Sequence, residues 1–235
     1  NMLRERGIQP DIIICRCEEL LSEKIKGKIA SFGGIDKEAV ISGVDVKNVY
    51  CIPFCFEDEG LSAIVHKKLQ LYSPPDLENW RELLYNLNHL DKEITIAICG
   101  KYTALADSYA SINEALMHCS AHTKAKINMK FIETTEIEQG EISVSESLSS
   151  CAGVIIPGGF GSRGLEGKLA VIKHCRENNV PILGICLGLQ LMVVEYARNV
   201  CGLEKANSVE NDPETPHPVV IILPGQDKIV DKGGT

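Results

Sequence analysis

The chain has 235 residues, 44% of them hydrophobic, and a formal net charge of −8. That length allows one large domain or two small ones, with enough apolar content for a substantial core. The acidic balance argues against nucleic acid or an anionic membrane as main partner, and no apolar run is long enough to span a bilayer. Ten cysteines are spread evenly, and neither Cys15/Cys17 nor Cys51/Cys55 combines into a paired zinc pattern. Mostly buried, reduced thiols and a cytoplasmic location are therefore expected.

In chain order, Asn1 to Arg4 reads as part of a helix that Ile8-Gln9-Pro10 breaks. A short strand is expected over 11–15, a helix over 18–32, strands over 39–42 and 49–52, and a helix over 61–71. This section has too few strands to close a domain alone. Tyr72-Ser73-Pro74-Pro75-Asp76 punctuates the chain, and an amphipathic helix over 77–87 carries Trp80, Leu83 and Leu84 on its apolar side. From there strands at 93–100, 127–133, 151–157, 180–184 and 217–223 alternate with helices at 107–122, 164–178 and 187–200. The pattern is a doubly wound, mostly parallel α/β domain, with its site expected at the carboxyl ends of the strands. The expected division is 1–71, a linker at 72–92, and a second domain over 93–235. Because the chain opens inside a helical pattern and stops in a loop at 232–235, a piece of a longer protein is expected.

The run Gly184-Ile185-Cys186-Leu187-Gly188 sits between a short apolar strand and a helical pattern. A Gly-x-Cys-x-Gly at such a junction is the cysteine form of the nucleophile elbow. Its glycines permit a sharp turn, and the thiol projects at a helix N-terminus, where the dipole favours thiolate. The alternative is a small buried cysteine in a tight strand-to-helix turn.

A second glycine loop, Pro157-Gly158-Gly159-Phe160-Gly161-Ser162-Arg163-Gly164, contains GxGxxG after a strand and before a helix. A dinucleotide reading requires an acidic residue roughly 20 positions on, and Cys186 stands there instead. Both loops then make one site. Cys186 attacks a carbonyl carbon, and the developing oxyanion takes N–H groups from Leu187 and from Gly159. A cysteine nucleophile also needs a base. His66, His89, His118, His122 and His174 fall in helical or linker patterns, and His217 lacks an acid at His-x-Glu spacing.

These two loops resemble the class I (triad) glutamine amidotransferases. Ala206-Asn207-Ser208-Val209-Glu210, Gly100-Lys101-Tyr102-Thr103 and Gly7-Ile8-Gln9-Pro10-Asp11 narrow the resemblance to the CTP synthase family, nearest in wording to eukaryotic forms over residues 3–10. The resemblance implies an α/β amidotransferase domain preceded by the C-terminal part of a P-loop-type synthetase domain. It implies glutamine hydrolysis at Cys186 and ATP-dependent amination of UTP to CTP, the last step of de novo CTP synthesis. It places Gly159 and Leu187 at the oxyanion, and Gly159, Leu187, Gly188, Leu189, Gln190 and Glu210 on glutamine, with Glu210 on the substrate's α-amino group. It places Lys28 at the UTP/CTP site and Val46 at the ATP base.

The implied cofactors are ATP and Mg2+, with GTP as activator, for which Phe160 and Arg163 could stack a purine or meet a phosphate. The implied assembly is a homotetramer, able to stack into filaments. The phosphate loop and magnesium ligands are expected before Asn1, and the triad histidine and glutamate after Thr235. The 235 residues alone are accordingly expected to be inactive in both half-reactions. The run usually ending Ser-Thr-Glu is Ser208-Val209-Glu210 here, with the glutamate retained. The competing readings are another triad amidotransferase, and a catalytically dead regulatory relative that binds glutamine.

Overall fold

The computed structural model describes residues 2–101 and 106–223, and the chain divides into two compact units, residues 1–88 and 89–235. Asn1, Tyr102, Thr103 and the expected loop at 232–235 lie outside the described residues.

The first unit contains helix α1 (Met2–Glu5), strand β1 (Ile13–Cys17), helix α2 (Glu23–Gly33) and strand β2 (Val40–Val44). Helices α3 (Ile52–Asp58), α4 (Leu61–Leu69) and α5 (Glu78–Asn88) follow. β1 and β2 pair in parallel, Ile13 opposite Val40. The helix expected from residue 18 begins only at Glu23, because the Leu21 N–H donates to Ser42 Oγ and holds the approach against β2 (3.2 Å). Beneath that approach Glu59 accepts from Lys26 Nζ at 2.6 Å and from the Ser42 N–H at 2.8 Å. Burial opposes ionisation of Glu59, but these donors prevail and hold its carboxyl below the ordinary value.

The strand expected over 49–52 is instead a 3₁₀ turn, Val49–Cys51, running into α3. Its β-branched and aromatic residues favour a strand, but two local features override them. Asn48 Oδ1 accepts from the Tyr50 N–H at 3.0 Å, and Pro53 in the first turn of α3 has a fixed φ suited to a helix. The turn then seats α5, since Trp80 Nε1 donates to the Tyr50 carbonyl at 2.5 Å and the two rings lie 6.0 Å apart.

The second unit is built on strands β3 (Lys92–Gly100), β4 (Ala125–Glu133), β5 (Gly153–Ile156) and β6 (Ile182–Gly184). All pairs are parallel, in the order β4-β3-β5-β6. Between them run α6 (Ala110–Thr123), the short α7 (Thr134–Glu138) and α8 (Val144–Leu148), then α9 (Leu165–Glu177) and α10 (Leu187–Asn199). The chain goes from β3 to β4 on one side and returns to β5 on the other, so strand order reverses between β3 and β5. Ligands of such sheets bind at that switch point. A two-stranded parallel ribbon, β7 (Ala206–Ser208) with β8 (His217–Val220), follows α10; β7 had no signature in the sequence.

The core runs through Ala97, Cys99, Val154, Ile156, Cys175 and Leu191. All ten cysteines are free thiols, as expected, but only Cys99 and Cys175 are buried, and Cys119, Cys186 and Cys201 are exposed. The expectation of mostly buried thiols fails because Cys15 and Cys17 on β1 and Cys51, Cys55 and Cys151 are only half-buried, while the exposed thiols lie on α6, at the head of α10 and just past its end. Burial pushes the Cys175 thiol up to about 11, and pushes Cys99 up further.

Glycine is required where α10 starts. A Cβ on Gly188 would lie 2.1 Å from the Ile156 carbonyl oxygen, and one on Gly184 would lie 2.6 Å from the backbone of Gly188 and Leu189. Gly188→Ala is therefore expected to destabilise the second unit by about 3 kcal/mol through forced separation of α10 from β5. A urea unfolding curve checks this, and an unchanged midpoint would contradict the close approach.

Candidate active site

Three successive strand ends meet at the carboxyl edge of the sheet. β3 delivers Lys101, β5 delivers the glycine loop 157–164, and β6 delivers Cys186. Cys186 is the N-cap of α10, with φ 54° and ψ −111°. A positive φ is disfavoured for a residue with a Cβ, and such strain concentrates at functional sites. The side chain is exposed, so the alternative of a small buried cysteine is set aside. The turn is closed by the Gly188 N–H on the Ile185 carbonyl (2.9 Å) and the Gln190 N–H on the Cys186 carbonyl (3.2 Å).

The glycine loop lies against this elbow. A Cβ placed on Gly158 would stand 3.4 Å from Cys186 Cβ and 3.9 Å from its Sγ. Gly159 is one residue on, where a Cβ would lie 4.0 Å from Leu187 Cδ2 and 3.8 Å from both Lys101 Cε and Lys168 Nζ. A methyl group thus fits at Gly159 without a clash; at that position a side chain would occupy free space rather than displace protein. Leu187 and Gly188 are buried in the first turn of α10, Leu189 is exposed and Gln190 is half-buried. Glu210 is exposed in the turn after β7, its N–H on Ser208 Oγ at 3.2 Å. Phe160 is 64% exposed, so a core role for it is excluded. Arg163 donates to the Lys101 carbonyl at 3.1 Å. His217 is exposed at the start of β8.

Two buried lysines support the loop, and neither was given a role from sequence. Lys168, in α9, is 1% exposed, and its ammonium donates to the Pro157 carbonyl at 3.3 Å. Lys101, 7% exposed, donates to the carbonyls of Phe160 and Gly161. Burial, and then the neighbouring Lys101 charge, push the Lys168 ammonium down to about 8. In sequence Lys168 looks like any solvated helix lysine, and only the packing of α9 under the loop reveals it. The loop's exit is fixed by Glu138, whose carboxylate accepts the Gly164 N–H at 2.6 Å where α9 lacks a side-chain cap.

Lys28 and Val46 belong to the first unit and line different hollows. Val46 lines one of about 400 Å³ with Gly43, Val44 and Asp45, at the carboxyl ends of β1 and β2. Lys28, exposed on α2, borders an apolar one of about 640 Å³ with Ile13, Ile29 and Phe32. Among the described residues no group of three His, Cys, Asp or Glu side chains could hold a metal ion, and no helix is long and apolar enough to cross a membrane.

Since the Lys168 ammonium is held below its ordinary value of 10.5, its burial in charged form costs stability at neutral pH. Lys168→Met is expected to stabilise the second unit at pH 7 by about 2 kcal/mol, the lost hydrogen bond offsetting part of the gain. Between pH 8 and 10 the unfolded chain holds the lysine proton and the folded one does not, so the unsubstituted protein gains stability as pH rises. The gap should close over that window; thermal melts of both proteins from pH 7 to 10 check the sign.

Comparison with known proteins agrees with this arrangement. The family model for glutamine amidotransferase class-I matches residues 104–223, and that for the CTP synthase N-terminus matches residues 1–71. The CTP synthase of Desulfitobacterium hafniense is 47% identical over 234 residues, 99% of this chain and 44% of that protein. Those of Methanocaldococcus jannaschii and Sulfurisphaera tokodaii are 48% and 49% identical, again over 99% of this chain and 44% of theirs. The chain thus spans less than half the length of these relatives. A solved Trypanosoma brucei CTPS glutaminase domain with bound acivicin superposes with a TM-score of 0.52 at 36% identity, covering 56% of this chain and 50% of that one. With the cysteine elbow and the glycine loop set side by side on a doubly wound sheet, the chain belongs to the class-I glutamine amidotransferase family, here joined to a segment matching the CTP synthase N-terminus.

Proposed function

We propose that the second unit hydrolyses glutamine and that the protein carrying this sequence uses the ammonia to convert UTP to CTP at the expense of ATP. The observation that carries the reading is Cys186, exposed and strained at the head of α10, beside the glycine loop. In this reading the Cys186 thiolate attacks the side-chain carboxamide carbon of glutamine. The C=O π electrons move onto oxygen, which is stabilised by the N–H groups of Leu187 and Gly159. Collapse expels the amide nitrogen as ammonia with an added proton and leaves a thioester. Water then cleaves the thioester to glutamate and frees the thiol. Glu210 meets the substrate's α-ammonium, and Gly188, Leu189 and Gln190 border its side chain.

The first unit contributes Val46 at the adenine of ATP and Lys28 at UTP or the product CTP, a cationic partner suited to phosphate. Magnesium would supply charge neutralisation of ATP, and the described residues assign it no ligands. GTP acts as activator, for which the exposed Phe160 face is suited, and the assembly is a cytoplasmic homotetramer able to form filaments.

The test uses the complete protein with UTP, ATP, Mg2+ and either glutamine or ammonium chloride. Cys186→Ala should lower glutamine-dependent CTP formation by at least about a thousandfold, as loss of a nucleophile does. Ammonium-dependent formation should persist. Surviving glutamine-dependent activity, or no CTP from either nitrogen source in the unsubstituted protein, would refute the reading.

A further inference from the structure

We infer that Lys168 is a positioning residue for glutamine hydrolysis, holding the glycine loop so that its amides remain presented to the oxyanion beside Cys186. The inference rests on the glutaminase reading above and adds a residue to it.

The argument begins with peptide geometry. In a trans peptide the carbonyl and the following N–H point in opposite directions, and the described residues contain no cis bond. Lys168 draws the Pro157 carbonyl inward at 3.3 Å, which turns the Gly158 N–H away from the protein interior. Lys101 draws the Phe160 carbonyl inward in the same way and lies 3.5 Å from that of Gly161. The Pro157–Gly158 and Phe160–Gly161 peptides are thereby fixed with oxygens toward the ammonium groups, and the first of them directly precedes the Gly158–Gly159 peptide that carries the Gly159 N–H. Gly158 and Gly159 have no Cβ to resist rotation, so the orientation of the Gly159 amide depends on the preceding peptide, which Lys168 holds. The site of a Cβ on Gly159 lies 3.8 Å from Lys168 Nζ and 4.0 Å from Leu187 Cδ2, so the ammonium stands next to the glycine that offers the loop's oxyanion donor.

A purely structural role explains the lysine poorly. The helix α9 around it contributes Leu165, Leu169, Val171 and Ile172 to the core, and an apolar side chain would satisfy the same packing. The titratable groups that face it are Lys101, Cys99, Glu133 and Cys186. The ammonium is thus retained among groups that include the nucleophile, in a position that costs stability.

The test compares two reagents at one thiol in the complete protein and its Lys168→Met variant. Iodoacetamide alkylates Cys186 by displacing iodide at a saturated carbon, forming no oxyanion. L-Glutamate γ-semialdehyde, whose minor open form equilibrates with its cyclic imine equally for both proteins, adds the thiol across its aldehyde, forming a carbon–sulfur bond and placing the former carbonyl oxygen where the oxyanion develops. Its half-protecting concentration against iodoacetamide, read by mass spectrometry of the Cys186 peptide, reports the oxyanion site without turnover. In K168M that concentration should rise about tenfold, below the 10²–10³ that follows outright loss of a donor. The iodoacetamide rate without aldehyde should stay within about twofold. Equal protection in both proteins would overturn the inference, and so would an equal fall in the alkylation rate itself, which marks a collapsed elbow. Absence of protection in the unsubstituted protein would instead overturn the glutaminase reading. Should K168M fail to fold, Lys168→Gln carries the same comparison.

Discussion

The second unit depends on one approach, the seating of the first turn of α10 on the ends of β5 and β6. Gly188 against the Ile156 carbonyl and Gly184 against the turn itself leave no volume for a side chain. Because helix and strands come this close, the residue between the two glycines must take a backbone conformation that L-residues avoid, and Cys186 is that residue. The strained cap is a consequence of packing, which the surrounding core over-determines. Buried Ile156, Leu191 and Val194 supply the hydrophobic contact that holds it.

The loop opposite the thiol is held differently. Beyond Pro157, buried at its entry, its order comes from charge-assisted hydrogen bonds beneath it, by Lys101 and Lys168, and from Glu138 at its exit. One half of the site is thus set by packing and the other by buried polar groups. The two kinds of support respond differently to conditions: packing is insensitive to pH, while the Lys168 ammonium is not.

Much of this was legible in the residues. Apolar runs flanked by glycine gave the parallel strands, and the elbow and glycine loop were visible as spacing. The errors have physical causes. Residues 49–52 have strand composition, but a side-chain cap at Asn48 and the rigid ring of Pro53 decide for helix. Residues 18–22 continue a helical pattern, but a hydrogen bond from Leu21 to a strand far along the chain takes them out of it. β7 is three residues long and exists through its pairing with β8, which no local pattern encodes. Lys168 could not be recognised, because burial of a helix face is a tertiary property. The resemblance supplied what spacing could not, namely roles for Glu210, Lys28 and Val46.

The helix that carries Lys168 is fastened at its far end as well. Arg176 donates to both carboxylate oxygens of Glu195 at 2.8–3.1 Å, and that glutamate is buried in α10. α9 begins at the glycine loop and α10 begins at the thiol, so this clamp ties together the two helices whose heads carry the two halves of the site. Thirteen residues of α9 make an arm of about 20 Å. A tilt of about 3° of that arm would carry the loop about 1 Å, a displacement comparable to the precision that catalytic sites generally require. An ion pair at the far ends of two helices thereby bears on how the two halves of the site are aligned.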